Sequence, residues 1–150
     1  MSPAKRKGSR RKAREIALSC LYMLEMQTRF EEMGDFEHTV NDFLRENRAL
    51  TESVEQYVRF LIKGVIKHLK EIDKKIEEVT INWKLTRINR IDRNILRMAV
   101  FEMLFGNDVP PQVAIDEAIE IAKKFSCQES GAFINGVLDQ INKHQAKKMK

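Results

Sequence analysis

The chain has 150 residues, enough for one domain with its own hydrophobic core. Hydrophobic residues make up 43% of it and charged residues 33%, and six glycines and three prolines are too few for a turn-rich all-β fold. Two cysteines exclude a disulfide scaffold and a cysteine-based zinc site, and no apolar run is long enough and free enough of charge to cross a bilayer.

The net charge of +5 is distributed unevenly. Residues 1–14 carry seven basic and no acidic side chains and residues 143–150 carry four basic and no acidic ones, which leaves −6 for the segment between them. A surface that serves only solubility would mix the two signs. Concentrated basic ends therefore favour contact with a polyanion.

Three interpretations compete for the basic N-terminal segment. A signal peptide is excluded because Glu15 and Glu25 bracket the apolar run and no cleavage site follows it. A solubilising tail remains open, but nucleic-acid binding is favoured because the charge continues into a predicted helix. The same two acids disfavour a membrane-surface role.

Apolar residues recur at helical spacing almost throughout, which predicts an all-α fold of six or seven helices. We expect helices over about residues 10–29, 35–47 and 51–79, and a buried central helix over about 90–105. Two further helices begin after Pro110 and after Ser126. Residues 1–9 and 145–150 have few apolar side chains to anchor them, so we expect flexible ends on a single domain spanning 1–150.

Catalytic patterns are absent from the sequence. His38, His68 and His144 fall on three different predicted helices without metal-ligand spacing, and neither a glycine-rich phosphate loop nor a nucleophile elbow occurs. Cys20 lies on an apolar stripe, and Cys127 has no neighbouring base in the sequence. We therefore predict a protein that is not an enzyme and uses no cofactor.

The remaining features suggest a recognition surface. The basic N-terminal side chains can contact phosphates. Tyr22 lies about two turns beyond Arg14, so we expect the two side chains on one face of the helix. Tyr22 is equally compatible with stacking on a base and with half-burial in the core. Residues 129–133 begin a predicted helix whose free N–H groups can receive a phosphate, although simple packing is the safer expectation for Phe133. The candidate phosphate contacts are Lys5, Arg6, Lys7, Arg10, Arg11, Lys12 and Arg14.

Four segments together carry a family resemblance. They are residues 10–22 (RRKAREIALSCLY), 95–104 (ILRMAVFEML), 109–120 (VPPQVAIDEAIE) and 133–139 (FINGVLD). In this order, over nearly the whole chain, they resemble the bacterial NusB family of transcription antitermination factors. The last two segments are the most specific.

The resemblance implies a fold of two packed three-helix subdomains and a cytoplasmic protein. It also implies binding to the single-stranded boxA element of ribosomal RNA transcripts, together with the ribosomal protein NusE. In that complex RNA polymerase passes through terminators. The implied RNA contacts are the arginine-rich start, Tyr22, Ser130 and Phe133, with Glu129 beside them; the implied NusE contacts are Thr80, Arg87 and Asp92.

Four positions depart from the family pattern, and two other functions stay open. Phe101 replaces a tyrosine and Asp116 an asparagine, and both changes are conservative. Ala132 stands where a basic or polar residue is common, and Thr80 stands where an aromatic residue is frequent. The same helical domain occurs as the N-terminal part of a ribosomal RNA cytosine methyltransferase, for which 150 residues leave no cofactor-binding domain. A self-associating helical module, forming a homodimer with its RNA surface hidden, is the other alternative.

Overall fold

The structure is a computed structural model that describes residues 3–28, 34–46, 50–80, 84–106 and 108–148, and of residues 3–7 the backbone alone. Within these ranges it contains seven α-helices, one 3-10 turn and no strand, so the predicted all-α class is confirmed. None of the described helices is both long enough and apolar enough to span a bilayer. The helices are α1 (Pro3–Gln27), α2 (Glu37–Glu46), α3 (Glu52–Lys67), α4 (Leu69–Val79), α5 (Arg90–Phe105), α6 (Pro111–Phe125) and α7 (Gln128–Lys148), with the 3-10 turn at Leu85–Arg87.

Both basic ends are helical over most of their length, and their flexibility stays a prediction. Helix α1 begins at Pro3 and α7 continues to Lys148, so residues 3–9 and 145–148 are helical. Lysine, arginine and alanine are good helix formers, and adding a residue to an existing helix is far easier than starting one. The basic ends therefore continue the helices that the apolar pattern predicts, while residues 1, 2, 149 and 150 lie outside the described ranges.

The long helix predicted over 51–79 is divided at His68. The backbone there leaves helical geometry (φ −105°, ψ 19°), and the imidazole stacks on Phe105 with 3.9 Å between ring centroids. The periodicity of apolar residues continues across the break, which is why the sequence did not show it. The chain divides close to this point into a first unit, Met1–Ile66, and a second unit, Lys67–Lys150.

The first unit contains α1, α2 and α3. Each helix buries an apolar stripe, as Ala17 and Leu21 show for α1, Val40 for α2 and Val58 for α3. An ion pair between Lys63 Nζ and Glu37 (2.8 Å) joins α3 to α2 at the surface. Arg10 and Arg14 of α1 lie over the Tyr57 ring of α3, which joins the helix with the basic segment to the rest of the unit.

The second unit is built around α5, as predicted from its apolar residues on more than one side. Asn89 caps α5, as its spacing of three residues from Asp92 predicts: the Asp92 backbone N–H donates to Asn89 Oδ1 at 2.9 Å. The Asp92 carboxylate accepts from the Asn89 side chain, Nδ2 to Oδ2 at 2.9 Å, where a full capping box would use the Asn89 backbone N–H. Further along α5, Arg97 donates to both carboxylate oxygens of Asp73 on α4, at 2.9 and 3.0 Å. Helices α6 and α7 pack against α5 and against each other.

Candidate nucleic-acid interface

Helix α1 holds the arginine-rich segment on an ordered surface of the first unit. Arg10 and Arg11 are half-buried and Lys12 is exposed, so all three present charge to solvent. The side chains of Lys5, Arg6 and Lys7 lie outside the described residues, although their backbone is helical. An ordered array of cations can follow a phosphate backbone.

Arg14 is placed differently from the other predicted phosphate contacts. Its side chain is only 3% exposed, and its guanidinium carbon lies 5.9 Å from the centroid of the Tyr57 ring. Arg10 lies over the same ring at 4.9 Å. The guanidinium of Arg14 thus packs inside the first unit, where a phosphate does not reach it in this conformation.

Tyr22 and Arg14 do not share one face of α1. Eight residues are about 2.2 helical turns, an angular offset of about 80°. Arg14 consequently points inward while Tyr22 is 37% exposed, and Met26, one turn further, is also exposed. The exposed ring favours the base-stacking interpretation of Tyr22 over half-burial in the core.

Tyr57 is a residue of this surface that the sequence analysis did not identify. It lies on α3 and carries the cations of α1 on its ring, which is a cation–π arrangement. Residues 10 and 57 are far apart in the chain and no local pattern relates them. Only the packing of α1 and α3 shows that they meet.

A cleft of about 300 Å³ in the second unit brings together five of the predicted contacts. Glu129, Ser130 and Phe133 are predicted RNA contacts. Arg87 and Asp92 are predicted NusE contacts, so the two predicted surfaces meet in this cleft. The lining residues are Arg87, Ile88, Asn89, Asp92, Cys127, Glu129, Ser130 and Phe133.

The polar side chains at the base of this cleft are hydrogen-bonded to each other. Asp92 is 5% exposed and Ser130 is 3% exposed, and Ser130 Oγ donates to Asp92 Oδ2 at 2.8 Å. The other carboxylate oxygen, Asp92 Oδ1, is buried without a hydrogen-bond partner. In this conformation Ser130 therefore joins α7 to α5, and its direct contact with RNA stays a prediction.

Glu129 occupies the start of α7 that was predicted to receive a phosphate. Its carboxylate accepts a hydrogen bond from its own backbone N–H and another from the Cys127 side chain, and these bonds lower the pKa of the carboxyl group. A helix N-terminus attracts negative charge, and here a carboxylate of the chain supplies it. A phosphate bound at the start of α7 would have to displace the Glu129 carboxylate or lie beside it.

The predicted partner residues Thr80 and Arg87 differ in exposure. Thr80 is buried and its hydroxyl donates to the Ile76 carbonyl at 2.8 Å, whereas Arg87 is exposed at the rim of the cleft. Because Asp92 is buried as well, Arg87 is the predicted NusE contact that this conformation exposes. The roles of all three stay predictions.

Arg14→Ala is expected to destabilise the protein. The change removes a buried guanidinium from the Tyr57 ring and should cost about 2 kcal/mol, seen as a lower Tm by circular dichroism. Arg14→Lys should not restore the stability, because an ammonium lacks the planar stacking group. Arg11→Ala, at a half-buried position of the same helix, is the control; equal Tm values for the two alanine variants would contradict the placement of Arg14.

The two cysteines are expected to react differently. Cys20 is fully buried, and burial raises the pKa of its thiol from 9.0 to about 12, whereas Cys127 is exposed. A thiol titration should count one reactive group in the native protein and two after denaturation. Two groups reacting equally fast under native conditions would contradict the burial of Cys20.

The same raised pKa predicts a loss of stability at alkaline pH. The folded state holds the Cys20 proton more tightly than the unfolded state, so this stabilisation is complete below pH 9 and is lost as the pH rises toward 12. Unfolding midpoints measured across this range should fall less steeply for Cys20→Ala than for the natural sequence. Parallel curves for the two proteins would refute the assignment.

Within the described residues no group of three or more His, Cys, Asp or Glu side chains is placed to hold a metal ion. The fold and the surface instead define a class: an all-α protein with an ordered basic helix carrying an exposed aromatic side chain, as in nucleic-acid-binding proteins.

The particular family follows from comparison with known proteins. The NusB family model matches residues 11–143, and this chain belongs to the NusB family. The transcription antitermination protein NusB of Desulfosudis oleivorans is 44% identical over 136 residues, which cover 91% of this chain and 86% of the relative. That of Acetivibrio thermocellus is 43% identical over 134 residues, covering 89% and 88%.

Solved structures show the same similarity. T. maritima NusB superposes with a TM-score of 0.77 at 37% identity, covering 89% of this chain and 90% of that one. A crystal structure of the antitermination factors NusB and NusE in complex with double-stranded RNA gives a TM-score of 0.78 at 25% identity, covering 91% and 97%. The family resemblance and the fold class are therefore confirmed.

Proposed function

We propose that this protein is a transcription antitermination factor that binds the boxA element of ribosomal RNA transcripts together with NusE. It acts without catalysing a reaction and without a cofactor. In the cytoplasm it joins the antitermination complex with which RNA polymerase passes through terminators. Its membership of the NusB family supports this function. The alignments with the two transcription antitermination proteins named above cover most of the length of each relative.

The observation that carries the RNA-binding part is the ordered basic helix α1. This helix carries Arg10, Arg11 and Lys12 and, further along, the exposed ring of Tyr22. Cations supply affinity that depends on salt and not on sequence, and an accessible ring can stack on an unpaired base. Helix α1 thus combines the two properties that a reader of single-stranded RNA needs.

The cleft of the second unit supports contact with a second macromolecule. Glu129 and Arg87 are exposed at its rim, and Asp92 closes its base. Ribosomal proteins are usually basic, so an exposed carboxylate such as Glu129 complements one by charge. Simultaneous binding of RNA and NusE would make each ligand raise the affinity for the other.

Fluorescence anisotropy with three labelled RNAs tests the RNA specificity at one near-physiological salt concentration. The RNAs are a single-stranded boxA element, a scrambled strand of equal length and the boxA strand paired with its complement. We expect the single-stranded boxA RNA to bind most tightly. Equal affinities for boxA and scrambled strands would contradict sequence recognition, and tightest binding of the duplex would contradict recognition of unpaired bases.

Tyr22→Ala is expected to reduce discrimination more than affinity for RNA in general. Removing one stacked base costs about 1–3 kcal/mol for the cognate RNA and less for a scrambled one. The Kd of the scrambled RNA divided by the Kd of the boxA RNA should therefore fall. The salt dependence of binding should stay the same because no charge is lost. An unchanged ratio would contradict a direct contact between Tyr22 and a base. Met26→Ala, one turn along α1 and also exposed, is the matched control.

A further inference from the structure

We propose that Tyr57 and Phe60 of α3, together with Arg10 of α1, form a second base-stacking surface for single-stranded RNA in the first unit. This inference deepens the proposed function and rests on it. It adds residues of α3 to an RNA surface that the sequence assigned, within the first unit, to α1 alone.

Phe60 is the side chain that first indicates a ligand here. It is 43% exposed, although a phenylalanine is normally buried. Its ring lies 5.6 Å from that of Tyr57, measured between centroids, with the planes tilted by 36°. Residues 57 and 60 are three apart on α3 and therefore lie on one side of it, so the two rings form a continuous aromatic patch.

Arg10 connects this patch to the basic helix. Its guanidinium carbon is 4.9 Å from the Tyr57 centroid, so it lies at most about 11 Å from the centroid of Phe60. A stacked strand rises about 3.4 Å per nucleotide, so this distance corresponds to about three nucleotides. One short strand can therefore stack a base on Phe60 while its phosphates contact α1.

The charges around the patch favour RNA over other occupants. Arg10, Arg11 and Lys12 of α1 are basic, and the exposed neighbours of Phe60 on α3, Gln56 and Lys63, carry no negative charge. Lys63 is paired with Glu37, and the acids of α3 lie in its first turn. Aromatic platforms beside cations are how proteins hold single-stranded nucleic acid, whereas a protein partner would be expected to cover a wider apolar area.

Phe125 provides a matched control because it has the same chemistry in another setting. It is 38% exposed and carries Lys124 Nζ at 5.4 Å from its ring centroid, but it ends α6 in the second unit. If any exposed phenylalanine beside a cation served RNA equally well, the two positions would behave alike. The inference predicts that they differ.

The test compares Phe60→Ala, Phe60→Trp and Phe125→Ala with the natural sequence by anisotropy, using single-stranded boxA RNA over a range of salt. Phe60→Ala should weaken binding at least about fivefold with an unchanged salt slope, because stacking is lost and charge is not. Phe60→Trp should bind at least as tightly as the natural sequence, and Phe125→Ala should lie within twofold of it. Thermal denaturation checks that each variant is folded.

Photo-crosslinking separates failure of this inference from failure of the proposed function. RNA carrying 5-bromouridine, irradiated in complex with the natural protein, should yield a crosslinked peptide containing Tyr57 or Phe60. Undiminished RNA binding by Phe60→Ala, without such a peptide, would overturn the inference and leave RNA binding by α1 standing. If Phe60→Ala instead changed only the oligomeric state by light scattering, the patch would be an interface between copies. No binding of boxA RNA by the natural protein would overturn the proposed function and this inference with it.

Discussion

Arg97→Ala is expected to lower the free energy of unfolding by about 3–5 kcal/mol, because it removes a buried guanidinium and both hydrogen bonds that it donates to a largely buried carboxylate. The Arg97 side chain is 6% exposed and that of Asp73 is 17% exposed, and two hydrogen bonds join them between α5 and α4. The geometry is bidentate, which lysine cannot reproduce. Chemical denaturation, monitored by circular dichroism, measures this change in the free energy of unfolding.

Two further variants show whether burial is the cause. Lys123→Ala breaks an exposed ion pair with Glu120 at 3.4 Å and should cost less than about 1 kcal/mol. Replacing Arg97 and Asp73 together by methionine and leucine should recover part of the loss, since no buried charge is left alone. A loss below about 1 kcal/mol for Arg97→Ala would mean that the pair is not buried as the structure has it.

Replacing Arg10, Arg11 and Lys12 together by alanine is expected to have the largest effect on RNA binding. Each phosphate contact to single-stranded RNA contributes about 0.7 to the slope of log affinity against log salt. Losing three contacts should reduce the slope by about 2 and weaken binding by about 100-fold near 0.1 M salt. The loss should be similar for boxA and scrambled RNAs, since these contacts carry no sequence information.

A triple variant of equal charge serves as the control. Lys70, Lys74 and Lys123 are exposed lysines of the second unit, and their replacement by alanine lowers the net charge by the same amount. If the net charge alone attracted RNA, both triple variants would lose the same slope. We expect the loss with the α1 variant only; a slope unchanged in that variant would remove α1 from the interface.

Much of the fold could be predicted because helices are a local property of the sequence. The spacing of apolar residues predicts the central helix, and Asn89 with Asp92 predicts its cap, both as the structure has them. The division of the long third helix at His68 was missed, because apolar residues keep their helical spacing across it. His68 stacks there on Phe105, a contact between distant parts of the sequence. Periodicity alone does not contain that information.

The candidate site was predicted less completely, for the same reason. The basic and aromatic residue types of α1 were recognisable, but Arg14 is buried against Tyr57 and its charge is not presented to solvent. Ser130 and Asp92, 38 residues apart, were predicted to contact different ligands, and the structure joins them by a hydrogen bond. Which side of a helix faces inward is decided by its neighbours in space.

Joint binding of boxA RNA and NusE is the property that most defines the proposed function. The most direct measurement is the Kd of single-stranded boxA RNA by anisotropy, without and with saturating NusE, repeated with a scrambled RNA. We predict that NusE tightens the binding of boxA RNA more than that of scrambled RNA, and that boxA RNA tightens NusE binding by the same factor. A boxA affinity that NusE does not change, and that equals the affinity for the scrambled RNA, would contradict the proposed function. The basic helix would then be a general contact for polyanions.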